Sequence, residues 1–107
     1  MGKFDLSSTQ STSKTMNELK QAHLFIEGRV QGVGFRHFVR TNARRQNVNG
    51  WVRNLPDGRV EAVIEGPEES VQNMIDTCKR GPGTARVSDI SIDWENPSGF
   101  NQFEVRF

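Results

Sequence analysis

Residues 28–36 read Gly28-Arg29-Val30-Gln31-Gly32-Val33-Gly34-Phe35-Arg36, and this segment is named the glycine-rich loop. The residues before it, 22–29, form a short β-like run, and a helical pattern follows from residue 35 to about residue 46. Glycine adopts the backbone angles of a tight turn at little steric cost, so Gly32 and Gly34 allow an abrupt change of direction. The sequence therefore predicts a strand, a tight loop and a helix in succession.

A β-hairpin is predicted after this first helix. Asn47 tolerates a positive φ angle and is a plausible residue just beyond the helix end. Residues 49–54 (NGWVRN) and 59–65 both have the character of strands. Between them, Leu55-Pro56-Asp57-Gly58 is typical of a tight turn, because proline presets φ and glycine takes positive φ.

The rest of the chain predicts a second helix and two further strands. Gly66-Pro67-Glu68-Glu69 begins the helix, since proline suits a first turn and the acids complement the helix dipole. Gly81-Pro82 ends it. Residues 85–95 and 100–107 alternate apolar and polar side chains as strands do. The helix has an apolar stripe at i, i+3, i+4 and i+7, formed by Val71, Met74, Ile75 and Cys78.

The order β-α-β-β-α-β with an added C-terminal strand predicts an α+β protein. It is the plan of the ferredoxin-like α/β sandwich, with two helices on one face of a mostly antiparallel sheet. Residues 22–107 are enough for one modest core. Residues 1–21 are predicted to be a disordered tail or a remnant of cloning, because Ser and Thr occupy seven of the nine positions 7–15.

Composition and charge exclude several classes of function. The single cysteine allows neither an internal disulfide nor a cysteine metal cluster. No apolar run approaches the roughly 20 residues that span a bilayer, and we expect a cytoplasmic protein. The net charge of +1 argues against a nucleic-acid binder that relies on bulk charge. Seven arginines and two acids in residues 22–59 nevertheless favour a small anion near the glycine-rich loop.

The glycine-rich loop has the features of an anion site. At the start of a helix, backbone N–H groups lack intrahelical partners and the helix dipole adds positive potential. The guanidinium of Arg36, in the first turn, offers paired donors that match phosphate oxygens. The loop lacks the Gly-Lys-Ser/Thr of a Walker A motif and the third glycine of a dinucleotide fingerprint. The alternative is that the glycines only turn the chain and Arg36 is a solvated surface residue.

Two motifs, GRVQGVGFR at residues 28–36 and GWVRN at residues 50–54, closely resemble the acylphosphatase family in order and spacing. The resemblance covers residues 22–107, including the hairpin PDGRVEAVIEGP and the closing FEVRF. It implies metal-independent hydrolysis of the carboxyl-phosphate bond of acyl phosphates, without a cofactor. The family's phosphate-binding arginine falls on Arg36 and its water-orienting asparagine on Asn54. Its cradle of backbone N–H groups falls on Gln31, Gly32, Val33, Gly34, Phe35 and Arg36.

The partners implied are an acyl phosphate as substrate and inorganic phosphate as product and inhibitor, and we expect a monomer that binds no nucleic acid. One rival hypothesis is a non-catalytic module that binds phosphate or carbamoyl phosphate, since similar domains occur inside larger proteins. The other is an RNA-binding ferredoxin-like domain. Against it, the predicted third strand, residues 59–65, has no aromatic side chain and two acids.

The remaining candidate residues are predicted to be structural. His37 adjoins Arg36 but points about 100° away on a helix, so we expect it to face solvent. His23 and Cys78 are expected to be structural, and two histidines without matching acids do not predict a metal site. Arg40, Arg44 and Arg45 are predicted to form a solvated helix face, with weak steering of anions as the alternative. Core or partly buried aromatics are predicted at Phe35, Phe38, Trp51, Trp94 and Phe103.

Overall fold

The computed structural model describes residues 18–107, and its elements follow the predicted order. Residues 1–17 of the predicted tail lie outside the described residues. The helices are α1 (Phe35–Arg45) and α2 (Glu68–Arg80). The strands are β1 (Leu19–Arg29), β2 (Asn49–Asn54), β3 (Val60–Pro67), β4 (Arg86–Glu95) and β5 (Phe103–Arg106).

The five strands form one sheet in the order β4-β1-β3-β2-β5. All neighbours run antiparallel except β2 and β5, which are parallel. Helix α1 packs against β2 and β5, and α2 packs against β3, β1 and β4, so both helices cover the same face. The ferredoxin-like α+β architecture predicted from the element order is confirmed.

The two faces of the sheet differ because side chains alternate along each strand. On the helix side, Leu24 and Ile26 of β1 and Ile64 of β3 are fully buried in the core. The opposite side is not covered by a helix and is named the open face. It carries mainly polar and aromatic side chains, among them Gln21, His23, Phe25, Trp51, Arg53, Glu61 and Glu95.

The largest differences from the predicted strand boundaries, three residues each, are at the starts of β1 and β5. Strand β1 begins at Leu19, inside the predicted tail, because its first residues pair with the end of β3 from Glu65 to Pro67. The last strand begins at Phe103 rather than at residue 100. The preceding backbone N–H groups, of residues 98–100, donate to the buried carboxylate of Glu65 at 2.6–3.1 Å and not to a neighbouring strand.

The structure confirms the predictions for Asn47 and Cys78 but not the one for Trp94. Asn47 has a φ angle of 61°, as expected beyond a helix end, and Cys78 is fully buried. The prediction that Trp94 is a core or partly buried aromatic is corrected, because half of its surface is exposed. It lies on the outer strand β4 beside Glu68 and Gln72, which leave it partly uncovered.

Candidate active site

The glycine-rich loop turns through two left-handed residues and leads directly into α1. Gly32 and Gly34 have φ angles of 74° and 75°, and a Cβ built on either would meet no atom within 4 Å. The backbone conformation, and not a lack of space, therefore requires glycine. Gly34 caps α1 without a side-chain hydrogen bond, and the first turn holds no acidic residue. The positive end of the helix is thus left available for an anion.

Arg36, the second residue of α1, stands beside the C-terminal end of β5. Its Nη1 donates to the Arg106 carbonyl oxygen at 3.4 Å, and its guanidinium lies 4.7 Å from the centroid of the Phe107 ring. Among residues 18–107 no carboxylate forms an ion pair with it. Its orientation is therefore supported by the protein, whereas its charge is not neutralised.

A pocket of about 480 Å³ joins the loop to Asn54. Asn54 is the last residue of β2, and its side chain makes no hydrogen bond within residues 18–107. Gly32, Gly34 and Arg36 line the same pocket. The structure thus brings together the two side chains that the sequence singled out, with the amide of Asn54 available to a ligand or a water.

The predicted cradle of N–H groups is only partly at the pocket wall. Phe35 lines the pocket with the two glycines, whereas Gln31 and Val33 are not among its lining residues. Val33 instead packs against the core, and its carbonyl accepts a bond from the Thr84 hydroxyl at 3.3 Å. Four of the six predicted cradle residues therefore line the pocket, and the cradle of N–H groups itself stays a prediction.

The side chain of Gln31 has a role that the sequence did not indicate. Its Nε2 donates to the carbonyl oxygens of Leu55 and Arg59 at 2.7 and 2.9 Å, one on each side of the β2–β3 turn. These bonds join the glycine-rich loop to the residue that follows Asn54. Because both acceptors are backbone carbonyls 24 and 28 residues away, no side-chain pattern could have indicated them.

Two of the three arginines predicted to form a solvated helix face also belong to the pocket. Arg40 and Arg44 line it, whereas Arg45 does not. His37 is exposed, as predicted, and its Nδ1 is 3.3 Å from Nη2 of Arg40 at the rim. Gln102 and Phe107, from the C-terminal segment, are further lining residues that sequence reasoning missed.

Away from the pocket, His23 is the centre of a polar network on the open face. Its Nε2 lies 2.6 Å from Glu61 Oε2 and its Nδ1 lies 3.0 Å from Glu95 Oε2. Arg53 Nε donates to Glu61 Oε1 at 2.6 Å, and Gln21 Nε2 donates to Glu95 Oε1 at 2.8 Å. The partners of His23 come from β3 and β4, so its contacts join three strands of the sheet, as its predicted structural role requires.

The charges in this network shift one another's pKa values. Partial burial opposes the charge of His23, but its hydrogen bonds to Glu61 and Glu95 outweigh burial and raise its pKa above 6.5. Burial likewise opposes ionisation of Glu61, but hydrogen bonds from His23 and Arg53 lower its pKa below 4.5. The network therefore favours a protonated histidine between ionised carboxylates.

The described residues offer neither a metal centre nor a reactive thiol. Within 18–107 no group of three or more His, Cys, Asp or Glu side chains is arranged to hold a metal ion. Burial raises the pKa of the Cys78 thiol to about 12, which keeps it protonated and unreactive. No helix in this part of the chain is long and apolar enough to cross a membrane.

Comparison with known proteins identifies the family. A sequence model described as "Acylphosphatase" matches residues 22–105. The chain belongs to the acylphosphatase family. The acylphosphatase of Haloarcula marismortui is 52% identical over 87 residues, which are 81% of this chain and 96% of that protein. Among solved structures, the Bacillus subtilis acylphosphatase superposes with a TM-score of 0.80 at 40% identity and covers 84% of this chain and 100% of its own.

The same fold also forms part of a larger protein. The structure of T. kodakarensis HypF matches 80% of this acylphosphatase-family chain at 39% identity and a TM-score of 0.70, but only 11% of the HypF chain takes part. The H. marismortui relative, in contrast, is matched along nearly all of its length. The predicted function, that of an acylphosphatase enzyme, is confirmed, and the rival of a non-catalytic binding module is not favoured.

Proposed function

We propose that this acylphosphatase hydrolyses acyl phosphates in the pocket between the glycine-rich loop and Asn54, with Arg36 as the phosphate-binding side chain. The observation that supports this most directly is that Arg36 and Asn54 line one pocket, where within residues 18–107 Arg36 has no ion pair and Asn54 makes no side-chain hydrogen bond. Backbone N–H groups at the start of α1 complete the binding site for the phosphoryl oxygens.

The chemistry requires little from the protein beyond position and charge. Water attacks phosphorus in line, the bond from phosphorus to the acyl oxygen breaks, and the carboxylate leaves with the bonding electrons. Arg36 and the N–H groups stabilise the charge on the equatorial oxygens. The Asn54 side chain accepts a hydrogen bond from the attacking water and orients it.

No side-chain base takes part in the proposed reaction. A carboxylate is a good leaving group, and a phosphoryl oxygen of the substrate accepts the proton that the water loses. The products are a carboxylate and inorganic phosphate. His37 is not assigned as a base, because it is exposed at the rim and faces the guanidinium of Arg40. A monomeric state, the absence of nucleic-acid binding and a cytoplasmic location stay predictions from the sequence.

Hydrolysis of benzoyl phosphate in the presence of EDTA tests the proposal. We expect turnover that chelation leaves intact and that inorganic phosphate inhibits competitively, because phosphate occupies the same loop. Loss of turnover on chelation would contradict the metal-free mechanism. Absence of turnover by a folded protein under all conditions would contradict the enzyme activity itself.

A further inference from the structure

The pocket extends beyond the groups that the reaction needs. Arg36, Arg40 and Arg44 are spaced four residues apart, so they form one stripe along α1, and all three line the pocket. At a rise of 1.5 Å per residue, Arg40 and Arg44 lie about 6 and 12 Å from Arg36 along the helix axis. Residues 103–105 of β5 form the facing wall. The pocket is therefore a groove that continues from the phosphate site along the helix.

Among residues 18–107 the arginines of this groove have no acidic partner. Within residues 18–107 neither Arg40 nor Arg44 takes part in an ion pair, whereas Arg53, Arg59 and Arg106 each do. Glu104 is the one acidic side chain among the described groove residues, and it pairs with Arg106 at 3.1 Å. Like charges four residues apart destabilise a helix slightly, so a second anion in the groove would relieve this repulsion.

The helix dipole does not account for both arginines. Cations near a helix C-terminus are favourable, which suits Arg44 and Arg45 in the last turn of α1. Arg40 lies mid-helix, where the dipole gives no such gain. Arg45 carries the same charge as Arg44 but lies outside the groove, so the two provide a matched comparison.

We propose that this enzyme prefers acyl phosphates whose acyl portion carries a second anionic group, which Arg40 and Arg44 bind in the groove. This inference rests on the proposed function, since it requires the phosphoryl group at Arg36. In-line attack places the leaving oxygen on the side of phosphorus opposite the water. With the water at Asn54, the proposal requires the acyl portion to extend along α1 toward Arg40. A short dicarboxylic acid phosphorylated on one carboxyl fits this arrangement.

Succinyl phosphate and butyryl phosphate are the matched probes, because both have a four-carbon acyl chain and only the first ends in a carboxylate. We expect wild-type protein to show a kcat/KM about fivefold higher for succinyl phosphate, mostly through KM, because partly exposed ion pairs contribute modestly. The preference shrinks as ionic strength rises. The double variant Arg40→Gln/Arg44→Gln removes the preference, whereas Arg45→Gln keeps it.

The outcomes separate this inference from the function on which it rests. Equal kcat/KM for the two probes in wild-type protein would overturn the inference while leaving the enzyme activity intact. The inference would also be overturned if Arg45→Gln lost the preference as fully as the double variant does. That result would show that the helix attracts anions in general and does not bind them in the groove. No hydrolysis of either probe would instead contradict the proposed function.

Discussion

The two faces of the sheet use polar side chains in opposite ways. On the open face, His23, Glu61 and Arg53 are bonded to one another, so their charges are satisfied by the protein. In the pocket, among the described residues, Arg36 has no ion pair and Asn54 makes no side-chain hydrogen bond. The type of a polar residue therefore does not reveal its role: an arginine or asparagine stabilises the fold where it is paired and is available to a substrate where it is not.

We expect the strongest effect when Arg36 of the pocket is replaced, with Arg53 of the open face as the comparison. Arg36→Ala lowers kcat/KM for benzoyl phosphate by about 10³-fold, because the developing charge loses its guanidinium, and weakens inhibition by phosphate. Its matched control, Arg53→Ala, keeps kcat/KM within about twofold and lowers the free energy of unfolding by about 0.5–1 kcal/mol. Similar loss of activity in both variants would break the contrast between the faces.

A second pair compares the two asparagines of β2. Asn54→Ala lowers kcat by about 10²-fold and leaves KM nearly unchanged, because orientation of the water matters only in the transition state. Asn49→Ala instead removes the bond to the Phe100 carbonyl at 3.0 Å and destabilises the protein by about 1 kcal/mol. Steady-state kinetics and urea unfolding measure the two effects. A large rise in KM with kcat intact would contradict the role of Asn54.

A third pair compares two glutamines, Gln31 and Gln21, whose side chains each make two hydrogen bonds. Gln31→Ala releases the loop from the β2–β3 turn, and we expect kcat to fall about tenfold because the phosphate site and Asn54 are no longer held in register. Gln21→Ala, on the open face, loses its bond to Glu95 and affects stability but not kcat. Unchanged kcat in Gln31→Ala would show that this clamp is structural only.

The smallest effect concerns the two histidines. Because the folded-state pKa of His23 is raised above 6.5, its stabilising contribution is full below that pH and is lost as pH rises through the folded pKa. We expect the unfolding free energy to decline by about 0.5–1 kcal/mol from pH 6 to pH 8, since the network is partly solvated. His23→Gln flattens this decline and His37→Gln keeps it. An unaltered slope in His23→Gln would remove His23 as the cause.

The order of elements was predictable because each one depends on local signals. Apolar periodicity in α2, positive φ at Asn47 and the turn at Gly58 are read from neighbouring residues. The start of β1 and the start of β5 were predicted wrongly, because pairing with β3 and the carboxylate of Glu65 act across the sheet. Likewise the exposure of Trp94 depends on its place at the sheet edge.

The architecture and the glycine-rich loop could be predicted from the sequence, and the family resemblance added Arg36 and Asn54 as the candidate pair. Local propensity and a motif of nearby residues suffice for these. The contacts between distant residues came from the folded structure: Asn54 shares a pocket with the loop, Gln31 bonds to the turn that follows Asn54, and Arg40 and Arg44 line the same pocket whereas Arg45 does not. The reason is that pairing and burial arise between residues distant in the chain, and these decide which charges are left for a ligand.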